Sequence, residues 1–133
     1  MDVGIDIVEI SRIRKIVHRN KFFLETVFSE KELEQLRLKR DIYSSISSRF
    51  SAKESFFKCI GGIKYLDSLR LIEIINDESG KPTIVLNGYL ASKFKNYEFS
   101  VSASHCKNYA CSVVIKKKLL DQNQKINNGD NKW

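Results

Sequence analysis

An acidic residue, Asp6, lies in the middle of a largely apolar stretch near the start of the chain. The segment GIDIVEI, residues 4–10, has the aliphatic content of a strand that enters a core, yet Asp6 lies in its middle. Burying a polar group without a partner costs roughly 2–7 kcal/mol, and burying a charge costs more. We therefore expect a group opposite Asp6 that pairs with its carboxylate or neutralises it.

Four charged residues lie in the segment 44–60, which has the length and apolar content of a buried helix. Glu54 and Lys58 are four residues apart and share one helix face, and Arg49 and Lys53 share another. An exposed pair at this spacing would add only about 0.2–0.5 kcal/mol to helix stability. Because the flanking aromatic and apolar residues leave little solvent face, we expect these charges to line a cleft.

Asp6 and Glu54 come from separate elements and could be bridged by a divalent cation. Mg²⁺ takes oxygen ligands in octahedral geometry, keeps several waters, and binds through one or two carboxylates plus substrate phosphates. Two carboxylates and a phosphorylated substrate would match that ligand set. A buried arginine or lysine is the alternative partner for Asp6, and the residues alone leave both partners open.

The segment SASH, residues 102–105, ends a predicted strand before a tight turn. His105 beside Ser104 could hold a phosphate, although a single histidine at a strand end is more often structural or merely exposed. Cys106 beside His105 could act as a nucleophile. Because neighbouring strand residues point to opposite faces, the pattern favours an unreactive thiol.

The hydrophobic pattern divides the chain into short elements that would position these groups. Residues 2–10 predict a strand, and Ser11 is the predicted N-cap of a short basic helix at 12–17. Ser29 and Glu32 have the spacing of a capping box, before a helix expected to face mostly solvent. The remaining elements are a helix at 44–60, strands at 69–76 and 83–86, a short helix capped by Asn87, and strands at 97–104 and 109–116.

These elements predict an α+β fold in which antiparallel strands form a sheet and the helices pack on one side of it. The chain has 133 residues, which corresponds to one domain. We expect that domain to span residues 1–118. Residues 119–133 lack hydrophobic periodicity and predict a disordered polar tail.

The formal charge of +7 favours an acidic partner, which could be a nucleic acid, an anionic cofactor or an acidic protein. Residues 116–133 carry five lysines against two aspartates, which leaves +4 on the rest of the chain. No apolar run approaches the roughly 18 residues of a membrane span, and no signal-peptide pattern is present. Three cysteines without CxxC spacing, Cys59, Cys106 and Cys111, predict reduced, buried thiols in a cytoplasmic protein.

Four segments, taken in order and at their spacing, resemble the holo-[acyl-carrier-protein] synthases, which are small single-domain 4′-phosphopantetheinyl transferases. The segments are GIDIVEISRI at 4–13, RFSAKESFFKCIG at 49–61, SGKPTI at 79–84 and SVSASH at 100–105. The resemblance implies transfer of the 4′-phosphopantetheine arm of coenzyme A to a serine of apo-acyl carrier protein. It further implies release of adenosine 3′,5′-bisphosphate, a requirement for Mg²⁺, and a place in fatty acid biosynthesis.

The resemblance also implies roles for individual residues. It makes Asp6 and Glu54 the metal ligands, and Glu54 the base for the serine hydroxyl, directly or through a water. Lys58 matches a lysine that stabilises or protonates the leaving group, and Arg49 matches a position near the phosphates of the cofactor. Two-domain relatives carry another carboxylate two residues after the first aspartate, where this chain has Val8.

Members of this family are homotrimers with active sites at the subunit interfaces, so the resemblance implies the same assembly here. Residues from two segments would reach in from the neighbouring subunit to hold the adenine and the 3′-phosphate of coenzyme A: Lys81, Pro82, Ser104 and His105. Basic residues of the first helix would dock the acidic recognition helix of the carrier protein: Arg12, Arg14 and Lys15.

Two other functions remain open from the residues alone. A basic α+β module that binds RNA or an acidic protein would carry exposed aromatic and basic residues on one sheet face. Phe50, Phe56 and Phe57 follow a buried helical pattern instead. Hydrolysis of a nucleotide pyrophosphate would use the same cation but would not need a basic first helix. The resemblance favours the transferase, with no nucleic acid or membrane as partner.

Overall fold

The computed structural model describes residues 1–62 and 66–120. The strands in these ranges are β1 (Asp2–Glu9), β2 (Ile72–Asn76), β3 (Pro82–Leu86), β4 (Tyr97–His105) and β5 (Tyr109–Lys118). The α-helices are α1 (Ile10–Arg19), α2 (Phe23–Val27), α3 (Glu30–Arg37), α4 (Ile42–Cys59) and α5 (Gly88–Lys93), and a 3₁₀ helix spans Leu66–Leu71. None of the described helices combines the length and the apolar character that crossing a membrane would require.

The strands divide into two antiparallel sheets. The larger sheet has the order β1-β5-β4, so the first strand of the chain pairs with the last. In its register Asp6 lies opposite Ser112, which lies opposite Ala103. β2 and β3 form a separate hairpin. The predicted α+β class with antiparallel strands is confirmed, and the hairpin stands apart from the main sheet.

Helix α4 lies directly against β1, because a glycine removes the side chain that would separate them. A Cβ atom on Gly4 would collide with the backbone carbonyl oxygen of Ser55 and would lie 2.6 Å from the backbone nitrogen of Cys59. No residue larger than glycine fits this position unless the helix moves. Gly4 therefore sets the distance between α4 and the sheet.

Serine hydroxyls form a buried cluster in the same contact. Ser51 and Ser55 on α4 both reach Ser112 on β5, with Oγ to Oγ distances of 2.9 and 2.7 Å. The Ser51 hydroxyl also donates to the backbone carbonyl of Asp6 at 3.1 Å. Since a buried hydroxyl is costly without a partner, this cluster favours one position of α4 on the sheet.

The apolar core lies on the side of the sheet that α4 covers. Phe56 of α4 is fully buried and contacts the rings of Phe94 and Phe99 at centroid distances of 6.0 and 4.9 Å. Val101 and Val114 complete the contact from β4 and β5. Phe56 and Phe57 are therefore core residues, as their helical spacing predicted, and Phe50 is partly buried against the core.

Lys53 does not line a cleft, contrary to the expectation from its helical spacing. Its side chain is fully buried, and Nζ lies 2.6 Å from Oε1 of Glu32. The same nitrogen donates to the backbone carbonyls of Val27 and Leu69 at 2.6 and 2.8 Å. Burial lowers the pKa of Lys53 to about 8, although the Glu32 carboxylate opposes this shift. The face of α3 that carries Glu32 is thus buried rather than exposed to solvent.

Two of the three predicted helix caps are at their predicted positions. Asn87 is the N-cap residue of α5, although its side chain makes no capping hydrogen bond, and the Ser29–Glu32 capping box is complete. In the capping box, Ser29 Oγ accepts from the backbone nitrogen of Glu32 at 3.3 Å, and the Glu32 carboxylate accepts from the Ser29 nitrogen at 3.1 Å. The prediction for Ser11 was wrong: α1 begins at Ile10, with Glu9 at the N-cap position. α1 follows β1 without a linker. The backbone nitrogen of Ile10 donates to the backbone carbonyl of Asn108, which lies just before β5.

The remaining boundaries differ from the predicted ones by a few residues. Helix α4 begins before residue 44 because Asp41 caps it, accepting from the Ser44 nitrogen at 3.3 Å. The first part of the strand predicted at 69–76 belongs to the 3₁₀ helix. The polar tail was predicted at 119–133, and residues 121–133 lie outside the described residues. The prediction of three buried thiols was wrong for Cys106, which is exposed because it lies in the turn after β4, whereas Cys59 is buried and Cys111 is partly buried.

Replacement of Gly4 by alanine tests the close contact between α4 and β1. The added methyl group has no room against the backbone of α4, so the free energy of unfolding should fall by about 3 kcal/mol. Urea denaturation measures the change. Ser100→Ala, at an exposed position of β4, is the control and should stay within about 0.5 kcal/mol of wild type. A Gly4→Ala variant as stable as this control would contradict the packing described.

Candidate active site

A cleft of about 360 Å³ opens where α1, the end of β1 and α4 meet. Asp6 and Glu54, which are far apart in the sequence, both line it. Arg12 lies at the same cleft from α1. Apolar residues contribute much of the remaining wall: Ile7, Val8, Ile13, Ile16 and Phe50. The packing of α4 on β1 therefore brings the two predicted carboxylates into one cavity.

The two carboxylate oxygens of Asp6 have different surroundings. Oδ1 accepts from the ammonium of Lys58 at 3.1 Å, and this lysine is about half exposed. Oδ2 is buried and has no hydrogen-bond partner among the described residues. A buried carboxylate oxygen without a partner is costly, so it indicates a ligand that binds there. A lysine is thus one partner of Asp6, which was one of the two alternatives that the sequence left open. This lysine contacts only one of the two carboxylate oxygens.

These residues fit a hard divalent cation. Asp6 offers an oxygen that no described residue contacts by a hydrogen bond, and Glu54 brings a second carboxylate to the same cleft. Within residues 1–62 and 66–120, no group of three or more histidine, cysteine or acidic side chains is placed to hold a metal. Two carboxylates suit Mg²⁺ in particular, because this ion commonly completes its shell with waters and substrate phosphates.

A second pocket of about 240 Å³ lies on α4 beside the ends of β2, β3 and β4. It brings together three of the residues predicted to hold the nucleotide, namely Arg49, Pro82 and His105. Lys39, which follows α3, lines it as well. None of the described residues that line this pocket also lines the carboxylate cleft, so one chain carries two separate subsites. Its basic side chains suit an anion.

Arg49 is held in this pocket by hydrogen bonds to two neighbouring elements. Its Nη1 donates to the backbone carbonyl of Ile74 at 2.8 Å, and its Nη2 donates to Oε1 of Gln35 at 3.0 Å. Burial lowers the pKa of the guanidinium, and the nearby Glu32 carboxylate opposes this. An arginine remains charged after such a shift, so it presents a fixed positive charge to the pocket.

Two of the predicted nucleotide-binding residues do not line this pocket in the single chain. Ser104 lies opposite Cys111 in the sheet register, which puts it on the other sheet face from its neighbour His105. Lys81 is exposed in the hairpin turn, where its backbone nitrogen donates to Oδ1 of Asp77 at 2.9 Å. The roles predicted for Ser104 and Lys81 therefore stay predictions.

The basic residues of α1 have separate surroundings. Of the three predicted to bind a carrier protein, Arg12 alone lines the carboxylate cleft. The guanidinium of Arg14 lies over the ring of Tyr43, 4.8 Å from its centroid, and Lys15 is exposed. The Tyr43 hydroxyl is 2.9 Å from Nε2 of His18. Contacts of Tyr43 with both Arg14 and His18 thus join α1 to α4.

Sequence reasoning missed Gln35, which contacts Arg49 and the backbone of Asn76. The signal that could have found it is its spacing. Gln35 lies three residues after Glu32, and on a helix that spacing places both on one face. Because Glu32 was interpreted only as part of a capping box, the inward direction of this face was not recognised.

Comparison with known proteins gives a consistent result. The family model described as the 4′-phosphopantetheinyl transferase superfamily matches residues 2–114. A holo-[acyl-carrier-protein] synthase from Caldanaerobacter subterraneus is 44% identical over 117 residues, covering 85% of this chain and 91% of that protein. A second relative of the same name, from Chloroherpeton thalassium, is 42% identical and covers 86% of this chain and 96% of its own length. 

Among solved structures, the fold is similar to that of the Helicobacter pylori holo-[acyl-carrier-protein] synthase in complex with coenzyme A. The TM-score is 0.75 at 33% sequence identity, and the match covers 86% of this chain and 99% of that chain. The similarity therefore extends over nearly the whole length of that enzyme.

Thermal unfolding with divalent cations tests the carboxylate cleft. Mg²⁺ or Mn²⁺ should raise the unfolding midpoint of the wild type, because a ligand present at 100 times its Kd stabilises the folded state by about 2.7 kcal/mol. Asp6→Asn should abolish this shift. Asp2→Asn is the control, since Asp2 is also on β1 but pairs with Lys116 at 3.0 Å and does not line the cleft. Equal shifts in both variants would contradict a cation site at Asp6.

Proposed function

The chain belongs to the 4′-phosphopantetheinyl transferase superfamily, and on this basis we propose that it is a holo-[acyl-carrier-protein] synthase. Its reaction transfers 4′-phosphopantetheine from coenzyme A to a serine of apo-acyl carrier protein, with adenosine 3′,5′-bisphosphate as the second product. The observation that carries the proposal is the shared cleft of Asp6 and Glu54, in which one buried carboxylate oxygen has no partner among the described residues.

The residues of the cleft can divide the chemistry between them. Glu54 accepts the proton of the carrier serine, directly or through a water, as the serine oxygen attacks the phosphorus nearest the pantetheine. The bond from that phosphorus to the oxygen of adenosine 3′,5′-bisphosphate breaks, and Lys58 stabilises or protonates the departing oxygen. The ion pair of 3.1 Å with Asp6 orients the Lys58 ammonium. A Mg²⁺ ion held by Asp6 and Glu54 would offset the negative charge of the pyrophosphate.

The second pocket would take the nucleotide end of coenzyme A. Arg49 and His105 line it, and both can donate hydrogen bonds to phosphate oxygens. Pro82 supplies an apolar surface beside them that suits a base. Coenzyme A would then extend from this pocket to a carboxylate cleft, with its pyrophosphate near Asp6.

A homotrimer would bring these two subsites together across a subunit boundary. Val3, Ile5 and Ile7 point away from α4 on β1 and are 63%, 67% and 65% exposed. Val113 and Ile115 lie opposite them on β5. An exposed apolar face of this kind is typical of a subunit interface. In the assembly that family resemblance implies, the nucleotide pocket of one subunit faces the cleft of its neighbour.

Helix α1 is the surface proposed to bind the carrier protein. Arg12 lies at the carboxylate cleft and Lys15 is exposed nearby on the same helix. Positive charge beside the cleft would attract an acidic helix and guide the carrier serine towards Glu54. A role in fatty acid biosynthesis and a cytoplasmic location remain predictions from the sequence.

Intact mass spectrometry of apo-acyl carrier protein tests the proposed reaction directly. Incubation with this protein, coenzyme A and Mg²⁺ should add one phosphopantetheine to the carrier, and EDTA should prevent the addition. Release of phosphopantetheine from coenzyme A without modification of the carrier would instead indicate a pyrophosphate hydrolase. An unmodified carrier that still binds tightly would indicate a binding module.

The same assay tests whether transfer requires Glu54 in particular rather than any acidic side chain. Glu54→Gln removes the base and one cation ligand, so the rate of transfer should fall at least about 100-fold at saturating coenzyme A. Glu30→Gln, at an exposed position of α3 that pairs with Arg37, is the matched control and should retain the wild-type rate. A Glu54→Gln variant with wild-type turnover would remove Glu54 from the mechanism.

Ile5→Lys tests the apolar sheet face as a subunit interface. A lysine in the centre of this face should separate the subunits and, because each site needs two of them, should also abolish transfer. Analytical ultracentrifugation measures the oligomeric state. Val85→Lys is the control, because Val85 is also an exposed strand residue but belongs to the β2-β3 hairpin. A monomeric Ile5→Lys variant with full activity would contradict a site shared between subunits.

A further inference from the structure

Gln35 connects α3 to the last residue of β2 through two hydrogen bonds, one that it donates and one that it accepts. Its Nε2 donates to the backbone carbonyl of Asn76 at 3.1 Å, and its Oε1 accepts from the Asn76 backbone nitrogen at 3.0 Å. The side-chain amide thus pairs with this residue as a neighbouring strand would. Asn76 lines the nucleotide pocket together with Gly80 and Pro82, so Gln35 fixes one wall of that pocket from outside.

The same amide oxygen also orients Arg49. Oε1 of Gln35 accepts from Nη2 of Arg49 at 3.0 Å, while Nη1 donates to Ile74 at 2.8 Å. These two bonds use two of the five N–H donors of a guanidinium and hold its plane in one orientation. Arg49 as a residue is only 4% exposed, so its guanidinium is enclosed by the protein around these two bonds. Gln35 therefore contacts both the pocket wall and the cation of the pocket.

We propose that Gln35 is a positioning residue for the nucleotide pocket: Gln35 orients the Arg49 guanidinium towards the 3′-phosphate of coenzyme A. This inference rests on the proposed function, because it takes coenzyme A as the ligand of the pocket. Gln35 itself does not line the pocket and acts through Arg49 and Asn76. A pre-oriented arginine binds a phosphate more tightly than a mobile one, because less side-chain freedom is lost on binding.

The test compares coenzyme A with 3′-dephospho-coenzyme A as substrates for wild type and Gln35→Met. The wild type should have a higher kcat/KM with coenzyme A than with 3′-dephospho-coenzyme A. In Gln35→Met the ratio of these two values should fall about tenfold, mainly because the KM for coenzyme A rises. With 3′-dephospho-coenzyme A the variant should resemble wild type. Glu34→Met, one residue away at an exposed position of α3, is the matched control and should keep the full preference.

A purely structural role for Gln35 predicts a different result. Loss of folded protein would lower kcat/KM equally for both substrates, so an unchanged preference would overturn the proposal. A wild type that transfers the arm but does not distinguish the two substrates would overturn it as well. A wild type that transfers nothing would instead contradict the proposed function, so the two failures are distinguishable.

Two further variants keep the proposal falsifiable. If Gln35→Met does not fold, Gln35→Ala leaves room for water to satisfy Asn76 and must show the same loss of preference. If Gln35 acts through Arg49, then adding Gln35→Met to Arg49→Lys should change the preference by less than about twofold. Independent, fully multiplied effects of the two substitutions would overturn the coupling between Gln35 and Arg49.

Discussion

The close contact between α4 and the β1-β5-β4 sheet is the constraint on which the rest of this structure depends. Gly4 allows the backbone of α4 to approach β1 without an intervening side chain. Ser51, Ser55 and Ser112 satisfy one another in the same contact. Because the helix and the strand are held at this short distance, acidic side chains from both reach one cleft. A larger residue at Gly4 would widen the contact and alter the separation of Asp6 and Glu54.

Two charged side chains of α4, Lys53 and Lys58, differ in how completely their partners satisfy them. Lys53 points into the protein and is compensated by Glu32 and two backbone carbonyls, so its pair is complete without a ligand. Lys58, about one turn further along, is partly exposed and pairs with only one oxygen of Asp6. The first pair stabilises the packing of α3 on α4, whereas the second leaves a buried carboxylate oxygen for a cation. The same helix therefore carries one charge pair that is complete within the protein and one that leaves a carboxylate oxygen without a partner among the described residues.

Much of this arrangement could be predicted from the sequence, and the errors have physical causes. Asp6 within an apolar strand and Glu54 within an apolar helix are local anomalies, which is why their shared cleft was predicted. Lys53 lies in the same predicted helical segment as Arg49 and Lys58. Only the position of Glu32 in the folded chain shows that Lys53 is buried in an ion pair. Gln35 shares a helix face with Glu32, so its inward direction follows only once Glu32 is known to be buried. Ser104 and His105 lie on opposite faces of β4 because strand residues alternate, and the role of Ser104 stays a prediction.

The central claim is that Asp6 and Glu54 form one cation site next to the pyrophosphate of coenzyme A. Anomalous diffraction from crystals soaked with Mn²⁺ and coenzyme A tests it most directly, since Mn²⁺ replaces Mg²⁺ at oxygen sites. The account predicts an anomalous peak within about 2.0–2.3 Å of a carboxylate oxygen of each residue and in contact with a phosphate oxygen. A peak elsewhere, or coenzyme A bound with no peak between these two side chains, would contradict it.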